Sequence, residues 1–246
     1  MIYKNHLPNV LTLLNLLSGT IAAIFAVEGE LILAAYFVFL GIFFDFFDGF
    51  AARLLKVQGE LGKQLDSLAD VVTSGVVPGI VMFQLLKTKN SLEIFNTEII
   101  SWKTSEVELL PYVGLLITLA AAYRLAKFNI DERQTNSFIG LPTPAAALVV
   151  LSLPLILTYS SLEFAVNLIE NKWFLIVLTF LLSFLMNAEI PLFSLKFKDY
   201  TWKSNKVKYV FVGFTAVLCV FFQFVAIPMV ILLYVFMAVL FKDATN

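Results

Sequence analysis

The feature that most constrains this chain is the recurrence of apolar runs about 20 residues long from Leu7 to Phe241. A run of that length can cross a hydrocarbon core of about 30 Å as a helix, and in lipid only a helix or a closed barrel satisfies its own backbone. Eight spans are predicted: Leu7 to Val27, Leu31 to Leu55, Leu65 to Leu86, Leu109 to Lys127, Leu141 to Tyr159, Trp173 to Ala188, Val207 to Phe222 and Val225 to Phe241. The last two read as a tight hairpin broken near Gln223 and Pro228. No small-residue cleavage site follows Met1 closely, so the first run reads as a span and not a removed signal peptide. The expected fold class is an all-α integral membrane protein, one transmembrane domain over residues 1–246.

Composition supports this: 60% of the 246 residues are apolar or aromatic and 14% are charged, against about 25% charged in ordinary soluble domains. Seventeen basic and eighteen acidic residues leave a net charge of −1, which excludes a nucleic-acid-binding module. The single cysteine, Cys219, can build neither an internal disulfide nor a Cys-based zinc site. With eight spans and an inside N-terminus, 13 Lys and Arg fall on the cytoplasmic side and 4 outside, as the positive-inside rule requires. The basic run Lys196 to Lys208, with Tyr200 and Trp202, then faces anionic headgroups. The longest polar insertion, Lys87 to Glu108, reads as a solvated outer loop, and His6, the only histidine, has no assigned role.

Four carboxylates break the apolar pattern. Asp45 and Asp48 lie in the second span and Asp66 and Asp70 open the third. A central Asp costs roughly 2.5 to 3.5 kcal/mol to insert even on the lenient scale, so four require compensation. At about 100° per residue, Asp45, Asp48, Gly49, Ala52 and Arg53 form one stripe about 140° wide. Gly62, Asp66 and Asp70 recur every four residues on the next helix. Two acidic stripes therefore face each other across a short turn, Lys56 to Leu61. One or two divalent cations would turn their repulsion into attraction, and hard oxygen donors without His or Cys suit Mg²⁺ or Mn²⁺. The plainer alternative pairs these Asp residues with Arg53, Lys56 and Lys63 as packing contacts. Gly49, Ala52 and Gly62 leave room on the same faces for a bulky ligand.

From Asp45 to Asp70 the chain reads DFFDGFAARLLKVQGELGKQLDSLAD, matching D-x2-D-G-x2-A-R-x8-G-x3-D-x3-D at all eight fixed positions. This resembles the signature of the CDP-alcohol phosphotransferases. LPNVLTLLNLLSG (Leu7 to Gly19), SLADVVTSGVVP (Ser67 to Pro78), RLAKFN (Arg124 to Asn129) and FIGLPTPAAA (Phe138 to Ala147) further resemble the family's phosphatidylserine synthase branch, covering about the first 160 residues. Where that branch often reads Ser-Phe-Gly-Val-Ala-Pro, this chain has Ser74, Gly75, Val76, Val77 and Pro78 without the Phe.

The resemblance implies a helical membrane enzyme that displaces CMP from a CDP-linked lipid with an alcohol hydroxyl, with a core over about residues 1–190 and a C-terminal hairpin over about 207–241. It implies Asp45, Asp48, Asp66 and Asp70 as ligands of about two ions, with Asp70 the general base. Gly49, Ala52, Arg53 and Gly62 would lie against the nucleotide. The implied substrates are CDP-diacylglycerol and L-serine, and the implied assembly is a homodimer.

Arg124 and Lys127 are candidates for the serine carboxylate, with Asn129 beyond, and a phosphorylated acceptor such as glycerol 3-phosphate or an inositol phosphate would call for a denser basic cluster. Asn9, Thr12 and Asn15 form a polar stripe on the first span, available to nucleotide or acceptor, the alternative being hydrogen bonds between helices. Pro142 and Pro144 open the fifth span in a small-residue segment ending at Ala147. A divalent-cation transporter is the alternative from another class, disfavoured because the carboxylates cluster near one side of the membrane.

Overall fold

The computed structural model describes residues 6–57, 59–87, 109–131, 138–192 and 202–240. The helices are α1 (Leu7–Glu28), α2 (Leu31–Leu55), α3 (Glu60–Asp70), α4 (Val77–Leu86), α5 (Leu116–Ile130), α6 (Thr143–Tyr159), α7 (Glu163–Glu170), α8 (Lys172–Asn187), α9 (Trp202–Phe222) and α10 (Ala226–Leu240). Two-residue strands β1 (Phe138–Ile139) and β2 (Pro191–Leu192) pair antiparallel, joining the segment before α6 to the segment after α8. The architecture is the all-α one expected. Five helical stretches are long and apolar enough to cross a membrane, or six when the bent pair α7–α8 counts as one span, making this a multi-pass membrane protein.

Local signals explain the ends. Pro8 sits in the first turn of α1, where its missing N–H costs nothing. Gly29 takes φ 86° beyond the last turn, and its N–H donates to the Ala26 carbonyl. Lys56 closes α2 the same way at φ 56°, with Val57 donating to Ala52, and the chain reverses into α3, which packs against α1 while its carboxylates face those of α2. That short reversal is what sets the two acidic stripes next to each other. Asn171 caps α8 by accepting from the Trp173 N–H at 2.9 Å.

The structure corrects several sequence expectations. The third span begins at Glu60, not Leu65, and is α3, a π-helical turn over Val71–Val76, then α4. A π turn inserts one residue into the helical register, so the α-helical stripe holds through Asp70 and shifts after it. The fourth opens with a 3₁₀ turn, Leu110–Leu115, and runs to Ile130, placing Asn129 within the helix. α6 has only 17 residues and is buried on every side from Val149 to Ile156, a core helix encased by its neighbours. Pro144 lies in its first turn, an ordinary helix start. α7, unforeseen in the sequence, meets α8 at 81°.

At the C-terminal end Gln223 adopts φ 47° in a 3₁₀ turn and the chain doubles back. The rings of Phe211 and Tyr234 meet at 5.6 Å between centroids, which only antiparallel arms allow. Residues 88–108 of the outer loop and residues 193–201, which include the first part of the basic run, lie outside the described residues, and the rest of that run opens α9.

Small residues let α1, α2 and the π turn approach closely. At Gly41 a Cβ would stand 2.7 Å from Thr73 Cγ2 and 2.9 Å from Asn15 Oδ1. Gly41→Val is therefore expected to destabilise the bundle by about 1–3 kcal/mol through overpacking. A thermal melt of the purified protein in detergent checks this; an unchanged midpoint would show the contact to be looser.

Candidate active site

Asp45 and Asp48 stand on the last turns of α2, and Asp66 and Asp70 on α3. One carboxylate oxygen each from Asp45, Asp48 and Asp66 lie within 4.8 Å of one another. Asp48 is 6% exposed and Asp70 9%, while Asp45 and Asp66 are half-buried. Two unit charges about 4 Å apart repel by about 4 kcal/mol at an effective dielectric near 20. Such an arrangement favours a ligand that brings positive charge.

α1 supplies fixed dipoles. The buried Thr12 hydroxyl donates to Asp48 Oδ2, and Asn15 Nδ2 donates to Asp70 Oδ1 at 3.3 Å. Thr73, inside the π turn three residues after Asp70, donates to the Asn15 carbonyl at 3.2 Å, locking α1 against the third span. Of the polar stripe expected on the first span, two members thus engage the acidic residues. Asn9 lies where a Cβ on Gly62 would meet its Oδ1 at 3.5 Å.

A cavity of about 420 Å³ opens beside the three clustered carboxylates, lined by Asn9, Thr12, Asp48, Gly49, Ala52, Gly62, Lys63 and Asp66 among others. Gly49, Ala52 and Gly62 expose backbone to this space, as their size in the sequence suggests. Arg53 is exposed, and its guanidinium nitrogen Nη1 would lie 3.4 Å from a Cβ placed on Gly49. It therefore folds back over the cavity wall near Asp48.

Arg124 on α5 is 7% exposed, its charge interacts with that of Asp70, and its Nε has no hydrogen-bond partner in the structure. α5 is held here by Thr118, whose hydroxyl donates to the Gly75 carbonyl at 3.0 Å. Farther along, Asn129 Nδ2 donates to Ser67 Oγ at 2.9 Å, and Lys63 Nζ donates to the Asn129 carbonyl at 2.7 Å.

Lys127 is placed differently from the expectation. Its ammonium is 3.5 Å from Glu189 Oε1, an exposed pair joining α5 to the segment after α8. Lys63 and Asn129 clamp α5 onto α3 directly beside Ser67, one residue from Asp66, a contact the sequence reading overlooked. The only available signal was the polar character of Asn129 near the end of the mostly apolar α5, since Ser67 is one of many polar residues on α3.

The donors present fit a hard divalent cation. All three clustered side chains offer oxygen, they converge from two helices, and the remaining space is an open cavity where water or phosphate oxygens can complete a shell.

A family model described as CDP-alcohol phosphatidyltransferase matches residues 5–185. Over 169 residues the chain is 33% identical to a CDP-diacylglycerol–serine O-phosphatidyltransferase of Bacillus subtilis, covering 66% of this chain and 82% of the relative. It is 32% identical over 162 residues to an archaetidylserine synthase of Methanothermobacter thermautotrophicus, 65% of this chain and 62% of the relative. Against a CDP-diacylglycerol–serine O-phosphatidyltransferase of Mycobacterium leprae it is 28% identical over 193 residues, 76% of this chain and 57% of the relative. The chain thus spans most of the first relative's length and less than two thirds of the other two. The matched region contains α1 to α7 and nearly all of α8, including Asp45, Asp48, Asp66, Asp70, Arg53 and Arg124, and the chain belongs to the CDP-alcohol phosphatidyltransferase family.

Proposed function

We propose that the protein transfers the phosphatidyl group of CDP-diacylglycerol to the hydroxyl of L-serine, giving phosphatidylserine and CMP. The observation that carries this reading is the convergence of Asp45, Asp48 and Asp66, the last two lining an open cavity, with Asp70 and the buried Arg124 interacting electrostatically nearby. The names of the Bacillus and Mycobacterium relatives support the choice of serine.

Asp45, Asp48 and Asp66 would hold Mg²⁺ or Mn²⁺, which when bound neutralises phosphate oxygens and the charge of the leaving CMP, while Asp70, expected from the resemblance as a further ligand, stands outside the three. The remaining work falls to side chains. Gly49, Ala52 and Gly62 let the nucleotide approach the helix backbones, with Asn9 at its rim. Arg53 offers a fork to a phosphate oxygen. Asp70 accepts the proton of the serine hydroxyl as that oxygen attacks the lipid-linked phosphorus; the bond to the CMP oxygen breaks, and CMP leaves with the electron pair. Asn15 keeps the Asp70 carboxylate aimed. Arg124 pairs with the serine carboxylate, its planar guanidinium matching two oxygens.

The acyl chains remain in the leaflet while the nucleotide enters the cavity. The distribution of Lys and Arg supports a cytoplasmic membrane location, eight crossings, and both termini and the cavity on the inner side.

The test is CMP release from CDP-diacylglycerol with serine, glycerol 3-phosphate, an inositol phosphate or ethanolamine offered separately. Serine alone is expected to support rapid release. Arg124→Gln removes a charged hydrogen bond of about 1.5–3 kcal/mol and is expected to raise KM for serine about 10- to 100-fold. Faster release with glycerol 3-phosphate would refute the choice of acceptor.

A further inference from the structure

Thr12 lies on α1, outside the eight fixed positions of the acidic signature, and is 3% exposed. Its hydroxyl approaches two acceptors, the Pro8 carbonyl at 3.1 Å and Asp48 Oδ2. A hydroxyl has one proton to give. The Pro8 carbonyl is one helical turn back and has the Thr12 backbone N–H as its regular partner. The carboxylate is the stronger acceptor and has the greater need. The proton therefore goes to Asp48. Branching at Cβ restricts Thr12 to few rotamers on a helix, so the hydroxyl is already oriented before any ligand arrives.

We propose that Thr12 is a positioning residue for the cation site: its hydroxyl fixes the Asp48 carboxylate in the orientation that faces Asp45 and Asp66. This rests on the reading of those three carboxylates as a cation site. It assigns Thr12 a partner within the protein, the interhelical alternative among the two sequence expectations, and gives that contact a task. Asp48 is 6% exposed, and a water entering from the cavity would not reproduce the fixed direction of a hydroxyl held on the α1 backbone. Partners that orient metal ligands from behind typically change metal affinity 10- to 100-fold when removed. Thr12→Val keeps the shape and deletes the proton; Thr12→Ser keeps the proton and deletes the methyl.

The test is a titration of Mn²⁺ into purified protein in detergent, without CDP-lipid or serine, following free Mn²⁺ by electron paramagnetic resonance. Thr12→Val is expected to raise the Mn²⁺ Kd about 10- to 100-fold, and Thr12→Ser to restore it close to the unsubstituted value. If Thr12→Val does not fold, Thr12→Cys, a much weaker donor of similar size, takes its place. Unchanged Mn²⁺ affinity in the donor-deleted variant, or failure of Thr12→Ser to recover it, would overturn the proposal. So would a rise confined to KM for CDP-diacylglycerol, which would place the hydroxyl on the nucleotide. Absence of Mn²⁺ binding by the unsubstituted protein is a separate result: it would refute the cation site itself.

Discussion

Asp70→Asn is expected to reduce the rate of CMP release by about 10²- to 10⁴-fold, the range that a positioned acid or base contributes. The substitution is nearly isosteric, and the new amide keeps an oxygen that can accept from Asn15 Nδ2 as Asp70 does now. What disappears is the capacity to take a proton from the attacking hydroxyl. Because Asp70 stands outside the group of three mutually close carboxylates, Mn²⁺ should still bind to Asp45, Asp48 and Asp66. Turnover and Mn²⁺ binding thus separate in this variant. Loss of the charge facing Arg124 is partly offset by relief of repulsion from Asp45, Asp48 and Asp66. A thermal melt run alongside confirms that the fold is retained. Full turnover in Asp70→Asn would show that the base lies elsewhere.

The second large effect has opposite signs for activity and stability. Asp66→Ala removes a central member of the cluster and is expected to abolish cation-dependent CMP release, as chelation of the unsubstituted protein should. Adding Mg²⁺ or Mn²⁺ back would rescue only the latter. Without a cation, however, Asp66 repels Asp48 in a partly buried setting, by about 4 kcal/mol before relaxation at a dielectric near 20, while a shared hydrogen bond with Asp45 offsets only part of this. The cation-free Asp66→Ala protein should therefore melt above the cation-free parent, and the stabilisation that Mn²⁺ gives the parent should vanish in the variant. A lower melting temperature in the absence of cation would mean that Asp66 is a packing contact, held by partners of its own. Uptake of Mn²⁺ into vesicles by the parent without CDP-lipid would instead favour an ion pathway.

Much of this site is legible in the sequence because it obeys one periodicity. Asp45 and Asp48 on α2, and Gly62, Asp66 and Asp70 on α3, follow ordinary helical spacing up to Asp70, so a 100° count brings the correct faces together. The short reversal after Lys56 was legible from Gly59, and from the lack of chain for anything longer.

The parts that were not legible depend on other physics. Nothing in VVTSGV announces a π turn, which is set by how α1 and α5 pack against it through Thr73 and Gly75. Apolar runs mark α6 as a helix but do not distinguish lipid from protein as its surroundings, so its complete burial appears only when the bundle is assembled. Arg124 and Lys127 are equivalent as cations near a helix end. Only the tertiary structure buries the first beside Asp70 and pairs the second with Glu189. α7 is too short to register as an apolar run.

The central claim is that α2 and α3 share a divalent cation through Asp45, Asp48 and Asp66. Its most direct test is anomalous diffraction from crystals of the protein grown with Mn²⁺. The expected result is a strong anomalous peak about 2.1 Å from carboxylate oxygens of all three residues, an octahedral hard-cation distance. An ordered site with no peak there, or a Mn²⁺ peak held by other side chains while these three carboxylates point apart, would contradict it.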